Sequence, residues 1–145
     1  MLYEYDGRSV TGHSEIDRLH VEIADQSRRL VASLEQGAGF DEIYDAFMQL
    51  QDVLRIHFNV EEHDMMLLEQ NDEVLDHFRR HKENHKLFRD LLTYGEEQFE
   101  KNRAMGKVPN VLALIPQEYF EELKNIDQEM SALFTKYDPK KSASD

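Results

Sequence analysis

Apolar residues recur along this chain at alternating steps of three and four, the spacing that puts side chains on one face of an α-helix. One stripe runs Ile16, His20, Ile23, Ser27, Leu30, Leu34, and a second runs Phe47, Leu50, Leu54, His57, Glu61, Met65, Leu68. A third runs Val74, Phe78, His81, His85, Phe88, Leu92. The last comprises Leu112, Ile115, Tyr119, Leu123, Ile126, Met130, Leu133 and Tyr137. Six glycines and three prolines are the only strong breakers, and the pairs Gly37/Gly39 and Gly106/Pro109 fall between stripes. The pattern predicts helices over about 14–36, 41–68, 72–101 and 110–137, with an extended arm at 1–13 and a polar tail at 138–145. Ser14 ahead of Glu15 and Asp17, and Asn71 ahead of Asp72 and Glu73, read as helix starts. Pro116 either kinks the last helix or marks its true first turn. No segment alternates with a period of two for long enough to be a strand. The expected fold is all-α, a single domain formed as an antiparallel up-down four-helix bundle.

Composition narrows the function. The 145 residues carry 17 Lys and Arg against 30 Asp and Glu, a formal charge of −13. Such an acidic chain lacks the basic patch that nucleic acid or an anionic membrane requires. With no cysteine, disulfides, iron–sulfur clusters and thiol nucleophiles are excluded. No apolar run approaches the roughly 18 residues of a membrane span. The N-terminal residues have neither a basic nor an apolar signal region, so the expected compartment is the cytoplasm.

The informative residues are those that break the stripes. His20, His57, Glu61, His81 and His85 stand on faces that should be buried, on three separate helices. Burying such groups costs several kcal/mol unless each has a partner, and a metal centre satisfies all five together. His57/Glu61 and His81/His85 are i, i+4 pairs, stacked on their helices. One inward histidine is usually a core residue bonded to a carbonyl; five inward polar groups are not explained that way. Nitrogen and oxygen donors without sulfur suit iron or manganese, and zinc also binds such sets. Of the other histidines, His13 precedes the first helix, and His63 and His77 lie off the stripes. All three read as solvent-exposed, with His77, four residues from His81, the candidate for outer support.

These segments resemble the hemerythrin family in its single-domain bacterial form. Thr11-Gly12-His13-Ser14-Glu15-Ile16-Asp17-Arg18-Leu19-His20 resembles its T-G-x-x-x-I-D-x-x-H. His57-Phe58-Asn59-Val60-Glu61-Glu62 resembles its H-F-x-x-E-E, and His81-Lys82-Glu83-Asn84-His85-Lys86-Leu87-Phe88 its H-K-x-x-H-x-x-F. The order and separations are similar over most of the chain. The resemblance implies two iron ions in an oxo- or hydroxo-bridged diiron centre within the bundle. His20 and His57 would ligate one iron, His81 and His85 the other, and Glu61 would bridge them.

The family's H-x4-D on the fourth helix has no direct counterpart, because no histidine follows His85. Positions five apart on an α-helix differ by about 140°, so such a pair straddles the buried stripe. Glu122 and Asp127 fall on either side of the stripe's centre and fit that slot, with Glu in place of His. A competing alignment uses Asn125 and Glu129; it puts Asn125 about 120° from the stripe centre, near the outer face. The plainer reading of both acids is surface charge in an acid-rich chain.

Glu122 would add a negative charge to the second iron, favouring its ferric state. The resemblance implies binding of dioxygen or a related small ligand, such as peroxide or nitric oxide, for oxygen binding, storage or sensing. A carboxylate-richer site also raises the alternative of a dioxygen- or peroxide-reactive oxidase or peroxidase. Phe58, Phe88, Leu123 and Ile23 are candidates, by position, for the walls of a ligand pocket. No nucleophile, phosphate-binding glycine loop or Ser/His/Asp set is visible, which favours a metal- and oxygen-binding protein over a dedicated enzyme. A sensor would need a separate protein partner.

Overall fold

The computed structural model describes residues 14–137, and at positions 14, 111, 113, 120 and 122–124 the backbone alone. The expected arm, with His13, and the tail lie outside the described residues. The chain is all-helical, with no strand among the described residues. Its helices are α1 (Ser14–Glu35), α2 (Phe40–Met66), α3 (Asp72–Asn102), α4 (Leu114–Glu122) and α5 (Gln128–Tyr137). None is long and apolar enough to cross a membrane.

Local chemistry sets the helix ends. Past α1, Gly37 adopts a left-handed φ of 66°, its N–H reaches Leu34 O at 3.2 Å, and Ala38 N–H reaches Ser33 O at 3.0 Å. This pair of bonds closes the last turn, and the positive φ favours glycine. α2 starts at Phe40 behind Gly39, with Asp41 and Glu42 in its first turn, and ends at Met66, two residues before the expected boundary. α3 begins as expected, where the Asn71 side chain accepts from Val74 N–H at 2.9 Å. Its end passes through a short 3-10 turn to Gly106, which is also left-handed.

The segment expected as one helix over 110–137 is four consecutive pieces. A 3-10 turn (Asn110–Ala113) leads into α4, and a π turn (Leu123–Asp127) joins α4 to α5. Pro116 is a buried residue in the first turn of α4, where its missing N–H costs no helical bond. The π turn shifts the helical phase of the residues beyond it. Ile126, expected on the buried stripe, is only partly buried, and Asp127 is buried instead. An i→i+5 turn takes in one extra residue, so the angular count of an ideal α-helix does not carry across it.

α1 packs on α2, α2 on α3, and α3 on both α4 and α5. The buried apolar residues form two clusters. One holds Ile23, Phe47, Leu50, Phe58, Phe88, Phe99 and Tyr119 among others. The second holds Ile16, Met65, Leu68, Val74, Met130, Leu133 and Phe134. Each helical stretch passes from one cluster to the other through a polar position. α1 goes from Ile16 through His20 to Ile23, and α2 from Phe58 through Glu61 to Met65. α3 goes from Val74 through His81 and His85 to Phe88, and the last stretch from Tyr119 through Asp127 to Met130. A polar layer thus divides the core.

Replacing Asn71 by Ala removes the one side-chain cap of α3. The expected loss is about 1 kcal/mol of unfolding free energy, read from the urea midpoint at constant slope.

Candidate metal centre

Glu61 occupies the middle of the polar layer and is fully buried. It stands one turn after His57 on α2, so its Oε2 meets His57 Nε2 at 2.9 Å. The same oxygen lies 3.3 Å from His20 Nε2, brought across from α1. Its other oxygen, Oε1, faces α3 and lies 3.1 Å from His85 Nε2 and 3.4 Å from His81 Nε2. Asp127 enters from the π turn and spans the layer in the same way. Its Oδ2 is 3.3 Å from His20 Nε2 and its Oδ1 is 3.2 Å from His81 Nε2. The structure therefore brings His20, His57, Glu61, His81, His85 and Asp127 together. The side chain of Glu122 lies outside the described residues, as does that of Leu123.

Two groups emerge. In the first, one ligand atom each from His20, His57, Glu61 and Asp127 lies within 4.8 Å of the others, and all four residues are buried. In the second, Glu61, His81 and His85 meet the same condition. Each can hold a metal ion. The spacings fit: donors about 2.1 Å from a common ion stand about 3.0 Å apart in an octahedral arrangement and about 3.4 Å in a tetrahedral one. Protons alone serve the donors poorly. His20 Nε2 and His57 Nε2 face each other at 2.9 Å, and both also approach Glu61 Oε2. The buried His81 Nε2, though near two carboxylates, is aligned with neither for a hydrogen bond, and the buried His57 Nδ1 has no hydrogen-bond partner among the described residues.

The electrostatics describe a site that draws positive charge. Burial opposes charge on His20 and His81, but Asp127 and Glu61 outweigh it and raise both imidazoles to about 10. Burial likewise opposes ionisation of Glu61 and Asp127, yet the surrounding histidines hold both carboxyls below their usual range. His57 is pushed down, chiefly by burial. Without metal, two imidazolium groups and two carboxylates balance, and an arriving cation must displace protons.

Outer contacts orient the α3 histidines. His85 Nδ1 lies 3.1 Å from Glu62 Oε2, which also accepts from Arg89 at 2.6 Å. Burial opposes the charge on Glu62, but His85 and Arg89 hold its carboxyl down at about 2. Phe58 stacks on the His85 ring with centroids 4.4 Å apart, and the Tyr119 ring meets His57 edge-on at 5.8 Å. Phe58, Phe88 and Ile23, the expected wall residues with described side chains, are all buried.

His77 corrects the sequence reading. It is buried, with its Nε2 3.0 Å from His81 Nδ1 and its Nδ1 2.9 Å from Glu129 Oε1. Burial keeps its pKa low. The signal was present in the sequence, since His77, His81 and His85 form one ladder of i, i+4 steps. His63 is exposed, as expected. In the competing alignment, Asn125 is exposed and donates to Glu121 O at 3.3 Å, and Glu129 pairs with His77 and Arg80 rather than with Glu61. Comparison with known proteins finds no matching family, no matching curated protein and no matching solved structure.

The raised pKa of His20 and His81 sets a pH dependence. Their pairing stabilises the metal-free fold fully below the ordinary histidine value of 6.5 and is lost as pH rises through about 10. The melting temperature of metal-free protein should therefore fall between pH 6.5 and 10. Metal-loaded protein, with cations in place of those protons, should show a flatter alkaline limb in the same scan.

Proposed function

We propose that this protein is a non-haem diiron protein of the hemerythrin type that binds dioxygen or a related small ligand within an antiparallel four-helix bundle. The observation that carries this reading is the pair of donor groups sharing Glu61, with Asp127 also reaching a histidine of each. The alternating order in which successive helices cross the two apolar clusters supports the up-down bundle. His20 and His57 would hold one iron and His81 and His85 the other, with Glu61 and Asp127 between them and Glu122 completing the second position. Bound there, two irons would supply adjacent one-electron redox centres for a dioxygen-type ligand.

The chain's own residues set the conditions. Glu61 and Asp127 each turn one oxygen to either side of the layer, which supports two metal positions rather than one. His81 and His85 each present Nε2 inward and are held through Nδ1, so their lone pairs are aimed before metal arrives. Phe58, Phe88 and Ile23 exclude bulk water from the centre, which suits a small, weakly polar ligand.

Anaerobic loading with ferrous iron should give about two irons per chain. Glu61→Ala should lose most of both, because the carboxylate serves both positions. Retention of one iron or none by the wild-type chain would sink the diiron reading. Exposure to dioxygen then separates the alternatives. An absorption band that disappears when dioxygen is removed supports reversible binding. Irreversible conversion to an oxidised form, with turnover of peroxide or an added reductant, supports the oxidase or peroxidase.

A further inference from the structure

Behind the metal centre runs a second line of polar groups that ligation does not use. His81 presents Nε2 to Glu61 and Asp127 and turns Nδ1 the other way, to His77 Nε2 at 3.0 Å. His77 continues outward, its Nδ1 2.9 Å from Glu129 Oε1. Glu129 is partly exposed and accepts from Arg80, a neighbour of His81 on α3. The rings of His77 and His81 meet nearly at right angles, 87°, with centroids 5.0 Å apart. His77 thus stands at the outer edge of His81, opposite the atom that faces the carboxylates, and belongs to neither donor group.

One proton assignment satisfies the line. If His81 Nε2 offers its lone pair inward, its proton sits on Nδ1 and is donated to His77 Nε2. That acceptor role puts the His77 proton on Nδ1, where it is donated to Glu129. Each imidazole has one donor and one acceptor nitrogen, so the carboxylate at the surface end fixes the direction of the whole line. Glu129 also lies two residues after Asp127, so the contact that fixes His77 registers the Asp127-bearing turn against α3.

We propose that His77, anchored by Glu129, is a positioning residue that fixes the tautomer and ring orientation of His81 and so tunes the affinity of the His81/His85 metal position. This rests on the reading of His81 as a metal ligand. A buried histidine of purely structural value would affect unfolding, whereas this one also affects one metal site and not the other.

Two measurements test it. Nitrogen-15 NMR of the metal-free wild-type protein should show the His77 imidazole neutral, protonated at Nδ1 and accepting at Nε2. The opposite tautomer overturns the proposal. Ferrous iron is then titrated anaerobically against a competing chelator. His77→Leu should weaken one of two iron sites by about 10–100-fold and leave the other unchanged. His77→Gln, which keeps an acceptor for His81, should recover part of that loss, and its reading stands even if the leucine variant does not fold. Two sites with unchanged affinities in the variants overturn the positioning role alone. A wild-type chain that takes up fewer than two irons overturns the diiron reading, and with it any ligand for His77 to position.

Discussion

Everything in this structure depends on one electrostatic demand: a fully buried glutamate held among four imidazole nitrogens. Glu61 has no access to water, and each of its oxygens faces two histidines. Such a group is tolerable inside a protein only with positive charge beside it. Protons on His20 and His81 meet the demand in part, and the same donors could hold a metal ion that meets it further. The helices act as a frame around that requirement. They bring the donors to one level and close an apolar cluster over each side of it.

The frame was largely legible from the sequence. Helical spacing marks α1, α2 and α3 because each keeps its three-and-four step throughout, and the inward histidines stand out because they are polar on those stripes. Two features were less legible, for different reasons. At the start of α3, a step of either three or four from Val74 is helical, so both His77 and Phe78 can continue the stripe. Phe78 is apolar and invites selection, but the fold buries His77 because Glu129 from α5 supplies its partner. That partner is far away in sequence, and only tertiary structure brings it near. The second hidden feature is the π turn. Reading the last stretch at a constant angle per residue puts Asp127 at the edge of the buried stripe and Ile126 within it, whereas the backbone buries Asp127 and leaves Ile126 partly buried.

His81 and His85 on α3 are supported in unlike ways. Behind His85 stands Glu62, a carboxylate shared with Arg89, so charge lies one bond away from the ring. Behind His81 stands a neutral imidazole, with the carboxylate a further residue out. A carboxylate in direct contact makes an imidazole a stronger donor than a neutral partner does. The outer partners of His81 and His85 therefore differ in kind, although both rings face the same Glu61 oxygen. On the opposite side, His57 has no such support at Nδ1. The centre is asymmetric in its supports although its donor atoms are paired.

The π turn carries a consequence of a different kind. Tyr119 and Asp127 are eight positions apart, which on an ideal α-helix would leave them about 80° out of line. With the extra residue in the turn both are buried, Tyr119 in the first apolar cluster and Asp127 in the polar layer beside it. The placement of this carboxylate is thus governed by how many residues precede it, as well as by what they are. A change of length by one between positions 120 and 126 would turn Asp127 out of the core and Ile126 into it. In this segment the number of residues carries information alongside their types.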